Sequence, residues 1–146
     1  MGDGAPIKVL IVEDNPGDVE LAKEALRETS LTLDLHVAED GAEALDFLRN
    51  EPPDVPRTDL VLLDLNMPKV SGHEVLEEMK NDPDLRLIPV VVFTSSSARE
   101  DIEAAYDRYA NCYITKPGDL DDLVDVVRAI EAFWLTVVRL PRRSAA

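Results

Sequence analysis

Five times along the chain a short apolar run gives way to an amphipathic segment, and that alternation narrows the fold before any single residue is considered. Strand patterns fall near 7–12, 33–38, 59–63, 89–94 and 111–115, and the apolar runs of the first, third and fifth read as buried parallel strands. Helical patterns follow near 17–29, 40–50, 72–81, 98–109 and 119–136. A strand-helix repeat of this kind predicts an α/β domain with a parallel sheet and helices on both faces. In the last helix Leu120, Leu123, Val124, Val127, Ile130 and Phe133 recur at three- and four-residue spacing, opposite Asp121, Asp122, Asp125 and Arg128. Asp119 is placed to cap it. Helix one carries Val19, Ala22 and Leu26 on one face and Glu20, Lys23, Glu24 and Arg27 on the other. The proline-bearing stretch 51–59 reads as a surface excursion, because the alternation resumes directly after it. Residues 7–136 therefore read as one domain, with tails at 1–6 and 137–146.

Composition sets outer limits. A chain of 146 residues suits one core. No apolar window approaches the length of a membrane span, and no signal core precedes the first strand, so a soluble, cytoplasmic protein is expected. The net charge of −15 disfavours direct binding to nucleic acid or an anionic membrane, and would also suit a high-salt cytoplasm. The one cysteine, Cys112, lies inside an apolar run and reads as a small core residue. His36 and His73 are too isolated to suggest a transition-metal site.

Chemistry gathers where the strands end, which is where open α/β sheets place their sites. Glu13 and Asp14 follow strand one and Asp64 follows strand three, three hard oxygen ligands whose mutual repulsion a divalent cation would relieve. Mg²⁺ suits such a set, since it takes a few carboxylates and keeps positions for water and phosphate oxygens. Lys116 ends strand five ahead of Pro117, where it could balance charge when a phosphoryl group arrives; a cis Lys116–Pro117 bond is one way to aim it. Thr94 closes strand four with a hydroxyl able to donate to a phosphate oxygen, and among the serines that follow, Ser97 is the expected cap of helix four.

The ordered set Glu13-Asp14, Asp64, Thr94 and Lys116-Pro117, with DLNMP at 64–68 and Gly72, resembles the receiver domain of two-component response regulators. The resemblance implies a flavodoxin-like sheet of strand order 2-1-3-4-5. It implies Asp64 as phosphoacceptor and Thr94 and Lys116 as contacts to the phosphoryl oxygens. Mg²⁺ would be held by Glu13, Asp14, Asp64 and the Asn66 carbonyl, with Tyr113 as an aromatic that reorients on switching. The function implied is a phosphorylation-dependent switch charged by a sensor histidine kinase and read by a downstream protein target, rather than an enzyme acting on a separate substrate. A narrower resemblance, carried by EDNPGDVELAKEAL, the proline-bearing insert, NCYITKP and IEAFWLTVVRLP, is to single-domain regulators that partner phytochrome-type kinases.

After helix five the sequence shows no linker to a DNA-binding module, so output is expected through a partner or a second copy. Phe133, Trp134 and Leu135 cannot all face one core from a single helix, which makes them a candidate homodimer interface. Two rival functions can be stated. One is an interaction module of the same fold that works without phosphorylation. The other is an aspartyl phosphohydrolase, disfavoured because such enzymes carry a second aspartate two residues after a nucleophile ending strand one, whereas Asp14 is followed by Asn15 and Pro16.

Overall fold

The structure is a computed structural model that describes residues 6–28, 31–52 and 54–141. Residues 1–5 and 142–146 of the expected tails, the end of helix one at residue 29, and residue 53 of the proline-bearing stretch lie outside the described residues. Five strands, β1 (Ile7–Val12), β2 (Leu33–Ala38), β3 (Leu60–Leu63), β4 (Val90–Thr94) and β5 (Cys112–Thr115), form one parallel sheet in the order β2-β1-β3-β4-β5. The helices between and after them are α1 (Pro16–Arg27), α2 (Gly41–Arg49), α3 (Gly72–Lys80), α4 (Arg99–Asp107) and α5 (Leu120–Ala132). A short 3₁₀ turn, Leu85–Leu87, precedes β4. No described helix is long and apolar enough to cross a membrane.

The central strands β1, β3 and β4 are covered on both faces. Leu10, Val12, Val61, Leu63, Val90 and Val92 pack with α2, α3 and Ala105 of α4 on one side. The alternate residues Ile7, Val9, Ile11, Leu60, Leu62, Val91 and Phe93 pack with α1 and α5 on the other. With a side-chain period of two, every residue of β1, β3 and β4 is directed into one of the two layers. Truncating a fully buried member such as Leu63 to Ala would cost about 2–5 kcal/mol.

Most helix boundaries lie within one or two residues of the sequence reading, and capping side chains account for the offsets. Asp119 caps α5 as expected, accepting from the Asp121 and Asp122 amides at 2.8 and 3.2 Å. Asn15 caps α1, so the helix starts on Pro16, whose missing N–H costs nothing there. Two expectations need correction. Ser97 does not cap α4: the helix enters through Ala98 with no side-chain cap, while the Ser96 hydroxyl accepts from the Ala98 amide at 3.2 Å. The Lys116–Pro117 bond is trans, since no cis peptide occurs among the described residues.

The end of the chain departs most from the sequence reading. Rather than running on as one α-helix to residue 136, α5 stops at Ala132 and passes into a π-helical turn, Phe133–Val137. The wider turn changes the angular spacing of the side chains. Leu135 is thereby directed into the α1/α5 core layer at 4% exposure, Trp134 is half-buried against the same layer, and Phe133 is 53% exposed. Leu135 is thus not part of an exposed apolar surface.

Candidate functional site

The C-terminal ends of β1, β3, β4 and β5 bring the predicted residues to one edge of the sheet. Parallel register sets Val12 beside Leu63 and Thr94 beside Thr115, so the residues that follow these strands emerge together. Glu13, Asp14 and Asp64 each offer a carboxylate oxygen within 4.8 Å of the others. Glu13 and Asp64 are buried and Asp14 is exposed, so two carboxyl groups lie inside the crevice and one at its mouth. The Asp64 amide donates to the Val12 carbonyl at 3.0 Å, tying the loop after β3 to β1. Asn66 directs its amide towards an Asp64 carboxylate oxygen at 3.4 Å.

The start of α3 fixes how closely that loop can pack. A Cβ on Gly72 would lie 2.3 Å from the Asp64 carbonyl oxygen and 2.6 Å from the Leu65 Cα, contacts that only glycine avoids. The Gly72 amide donates to the Leu65 carbonyl at 3.0 Å, closing the loop that runs from Asp64 to Ser71.

Electrostatics within the crevice are set by burial and by one ammonium among several carboxyls. Burial, reinforced by the charge on Asp64 and opposed by the hydrogen bond from Lys116, pushes Glu13 up to about 7. Burial alone would lower Lys116, but hydrogen bonds to Glu13 and Asp18, with the field of Asp64, outweigh it and raise its pKa, so the ammonium is charged at neutral pH. Lys116 forms ion pairs with Glu13 and, at 3.0 Å, with Asp18, and stands 5.8 Å from the Phe93 ring centroid. Asp18, on the first turn of α1, was not among the sequence candidates. Its place in the first turn of the helix that starts just after Glu13 and Asp14 was the signal available. A small cavity of about 20 Å³, room for one water, lies between Glu13, Asp18 and Asp64 above Phe93.

Thr94 is completely buried, and its Oγ1 has no hydrogen-bond partner among the described residues. An orphaned buried hydroxyl is costly, on the order of 1–3 kcal/mol, unless a ligand meets it. Beside the carboxylates and Lys116, the missing partner fits an anionic oxygen. The donor set as a whole, hard oxygens with one ammonium and one free hydroxyl, suits a divalent cation together with a phosphoryl group.

A hydrogen-bonded network leads away from this edge. Ser96, just after Thr94, donates its hydroxyl to Asp101 at 2.5 Å, and Asp101 also meets His73 Nε2 at 3.1 Å. The Tyr113 hydroxyl donates to the Ser96 carbonyl at 2.8 Å, and its backbone amide donates to the Tyr106 hydroxyl at 3.1 Å. The β4–α4 loop is thereby bonded to α4 and β5, and through Asp101 to His73 of α3. Sequence reading singled out Tyr113 but not His73 or Asp101, which lie 28 residues apart. Cys112, half-buried, has its thiol pushed up by burial, with Trp134 opposing, which fits an unreactive packing residue.

Comparison with known proteins gives a consistent result. The response regulator receiver domain matches residues 9–128. The chain is 45% identical over 138 residues to response regulator Rcp1 of Synechocystis sp., covering 93% of this chain and 94% of the relative. It is 40% identical over 139 residues to the probable methanogenesis regulatory protein FilR2 of Methanothrix harundinacea, covering 93% and 88%. The crystal structure of the Mn²⁺-bound form of Rcp1 is similar with a TM-score of 0.88 at 44% identity, over 93% of this chain and 99% of that one. The phosphorylated cyanobacterial phytochrome response regulator RcpA gives 0.89 at 45% identity, over 94% and 99%.

Proposed function

Because this chain belongs to the response-regulator receiver family, we propose that it is a switch in which Asp64 accepts a phosphoryl group from a sensor histidine kinase with Mg²⁺ bound. The observation that carries this reading is the meeting of Glu13, Asp14 and Asp64 with the Lys116 ammonium and the unpartnered Thr94 hydroxyl. The Mn²⁺-bound form of Rcp1 and the phosphorylated form of RcpA support it.

Glu13, Asp14, Asp64 and the Asn66 carbonyl would hold the ion, which when bound offsets the charge of the carboxylates and the incoming phosphate. An Asp64 oxygen attacks phosphorus, the O–P bond forms, the N–P bond of the donor phosphohistidine breaks, and the imidazole nitrogen keeps the electron pair. Thr94 donates to one phosphoryl oxygen and Lys116 to another, so catalysis is chiefly alignment and charge neutralisation. Tyr113 reorients as the β4–α4 loop moves towards the phosphoryl group. The altered face of α4, β5 and α5 is then read by a protein partner in the cytoplasm. RcpA's relation to phytochrome supports a phytochrome-type kinase as donor, whereas FilR2, comparably similar, is named for methanogenesis, and the site chemistry is common to any histidine kinase.

Acid-labile phosphate incorporation with and without Mg²⁺, in the parent and in Asp64→Asn, tests the assignment. Labelling should require both the metal and Asp64. Undiminished labelling of Asp64→Asn would end it, and a parent that never labels would leave an interaction module that works without phosphorylation.

A further inference from the structure

Asp18 has no part in the transfer chemistry described above, yet it holds the one ammonium that chemistry needs. Its place is fixed by the start of α1: Asn15 caps the helix by accepting from the Asp18 amide at 3.1 Å, and Pro16 sets the first turn. From there a carboxylate oxygen meets Lys116 Nζ at 3.0 Å. Lys116 is 7% exposed, bonded to Asp18 and Glu13, and has no hydrogen bond to Asp64 among the described residues.

We propose that Asp18 is a positioning residue that holds the Lys116 ammonium in the resting state, so that a phosphoryl group arriving at Asp64 must compete with it for that charge. The inference rests on the reading of Asp64 as phosphoacceptor. A lysine has three donors, and two are engaged here by carboxylates. Of those two carboxylates, Glu13 belongs to the set able to ligate a metal and Asp18 does not. A metal held by Glu13 would draw on that carboxylate and leave Asp18 as the anchor of Lys116. Asp18 also adds a negative charge beside a site that must admit an anionic donor, and the pair is shielded enough for that charge to be felt. Both effects act in one direction: Asp18 slows charging of the protein by phosphodonors that bring no docking energy of their own.

Acetyl phosphate is such a donor. An Asp64 oxygen bonds to phosphorus, the P–O bond to the acetyl group breaks, and acetate leaves with the electron pair. With Mg²⁺ and subsaturating acetyl phosphate, Asp18→Asn should label about three- to tenfold faster than the parent, the equivalent of one partly shielded ion pair. Asp18→Glu, which keeps the charge and can reach the ammonium, should stay within about twofold. Glu20→Gln, which removes a charge from the exposed side of α1 without touching Lys116, should match the parent. An independent readout is proton exchange at the Lys116 ammonium by ¹⁵N NMR, slow in the parent and faster in Asp18→Asn. The proposal is overturned by an Asp18→Asn rate at or below the parent's, or by equal acceleration in Glu20→Gln. It is also overturned by a parent Lys116 ammonium exchanging as fast as that of exposed Lys69, a result that needs no variant to fold. Labelling of Asp64→Asn would instead sink the underlying assignment.

Discussion

Glu13 has the site's most displaced carboxyl, about 7, and that displacement has a stability consequence. The unfolded chain releases this proton near the ordinary value of 4.5, whereas the folded protein retains it until about 7. Folded protein thus binds more protons across that window, and metal-free stability falls as pH rises through it. Melting in chelator from pH 5 to 8 should show this decline, and Glu13→Gln should flatten it. Repulsion among the three clustered carboxyls governs the metal response. Millimolar Mg²⁺ should raise the melting temperature by mass action, and Asp14→Asn should raise the metal-free value while blunting the Mg²⁺ effect. Equal metal-induced shifts in parent and variant would contradict the arrangement of the three carboxylates as a common site.

At the scale of elements, the proposed function makes the β4–α4 loop the part that moves with the phosphoryl group. Thr94, the last residue of β4, carries the free hydroxyl just before the loop, and two residues later Ser96 bonds to Asp101 and receives the Tyr113 hydroxyl. Pulling Thr94 towards Asp64 therefore loads the contacts that hold Tyr113. Thr94→Ala should still accept phosphate yet lose most of the phosphorylation-dependent gain in affinity for a partner of the α4-β5-α5 face, measured by titration with that partner. A full gain in the variant would exclude this route. The resting position of the loop depends on Asp101, whose carboxyl is held below the usual range by hydrogen bonds from Ser96 and then His73. That contribution is present above the ordinary aspartate range and lost as pH falls below it. Asp101→Asn should cost roughly 0.5–1.5 kcal/mol in urea unfolding at neutral pH.

For the whole molecule, the π-helical turn decides which apolar groups face outward. Phe133 is 53% exposed, with the edge of Trp134 against it at 5.9 Å between ring centroids, and Val137 is 66% exposed. With Leu135 buried, the candidate dimer surface reduces to Phe133, Val137 and the outer edge of Trp134. Trp134 also packs into the core, so Phe133→Glu is the cleaner test of association. The parent should sediment as a twofold dimer that strengthens with salt, because repulsion between chains of net charge −15 is screened over about 8 Å near physiological ionic strength. Phe133→Glu should be monomeric throughout. A parent that is monomeric at high micromolar concentration in every salt would assign the patch to a different protein.

The alternation of five strand patterns with amphipathic segments was enough to specify a parallel α/β sheet, because the central strands β1, β3 and β4, covered on both faces, read as nearly continuous apolar runs, while the edge strand β2 keeps Asp34 and His36. The site carboxylates, Thr94 and Lys116 were legible for a related reason: each directly follows or ends such a run, and strand ends in this architecture converge. Other features depended on chain segments distant in sequence. Asp18 meets Lys116 across 98 residues, and His73 meets Asp101 across 28, separations no local pattern records. The burial of Leu135 was likewise settled by how neighbouring elements pack. At chain ends and loops several local conformations lie within a few kcal/mol, and only tertiary contacts select among them.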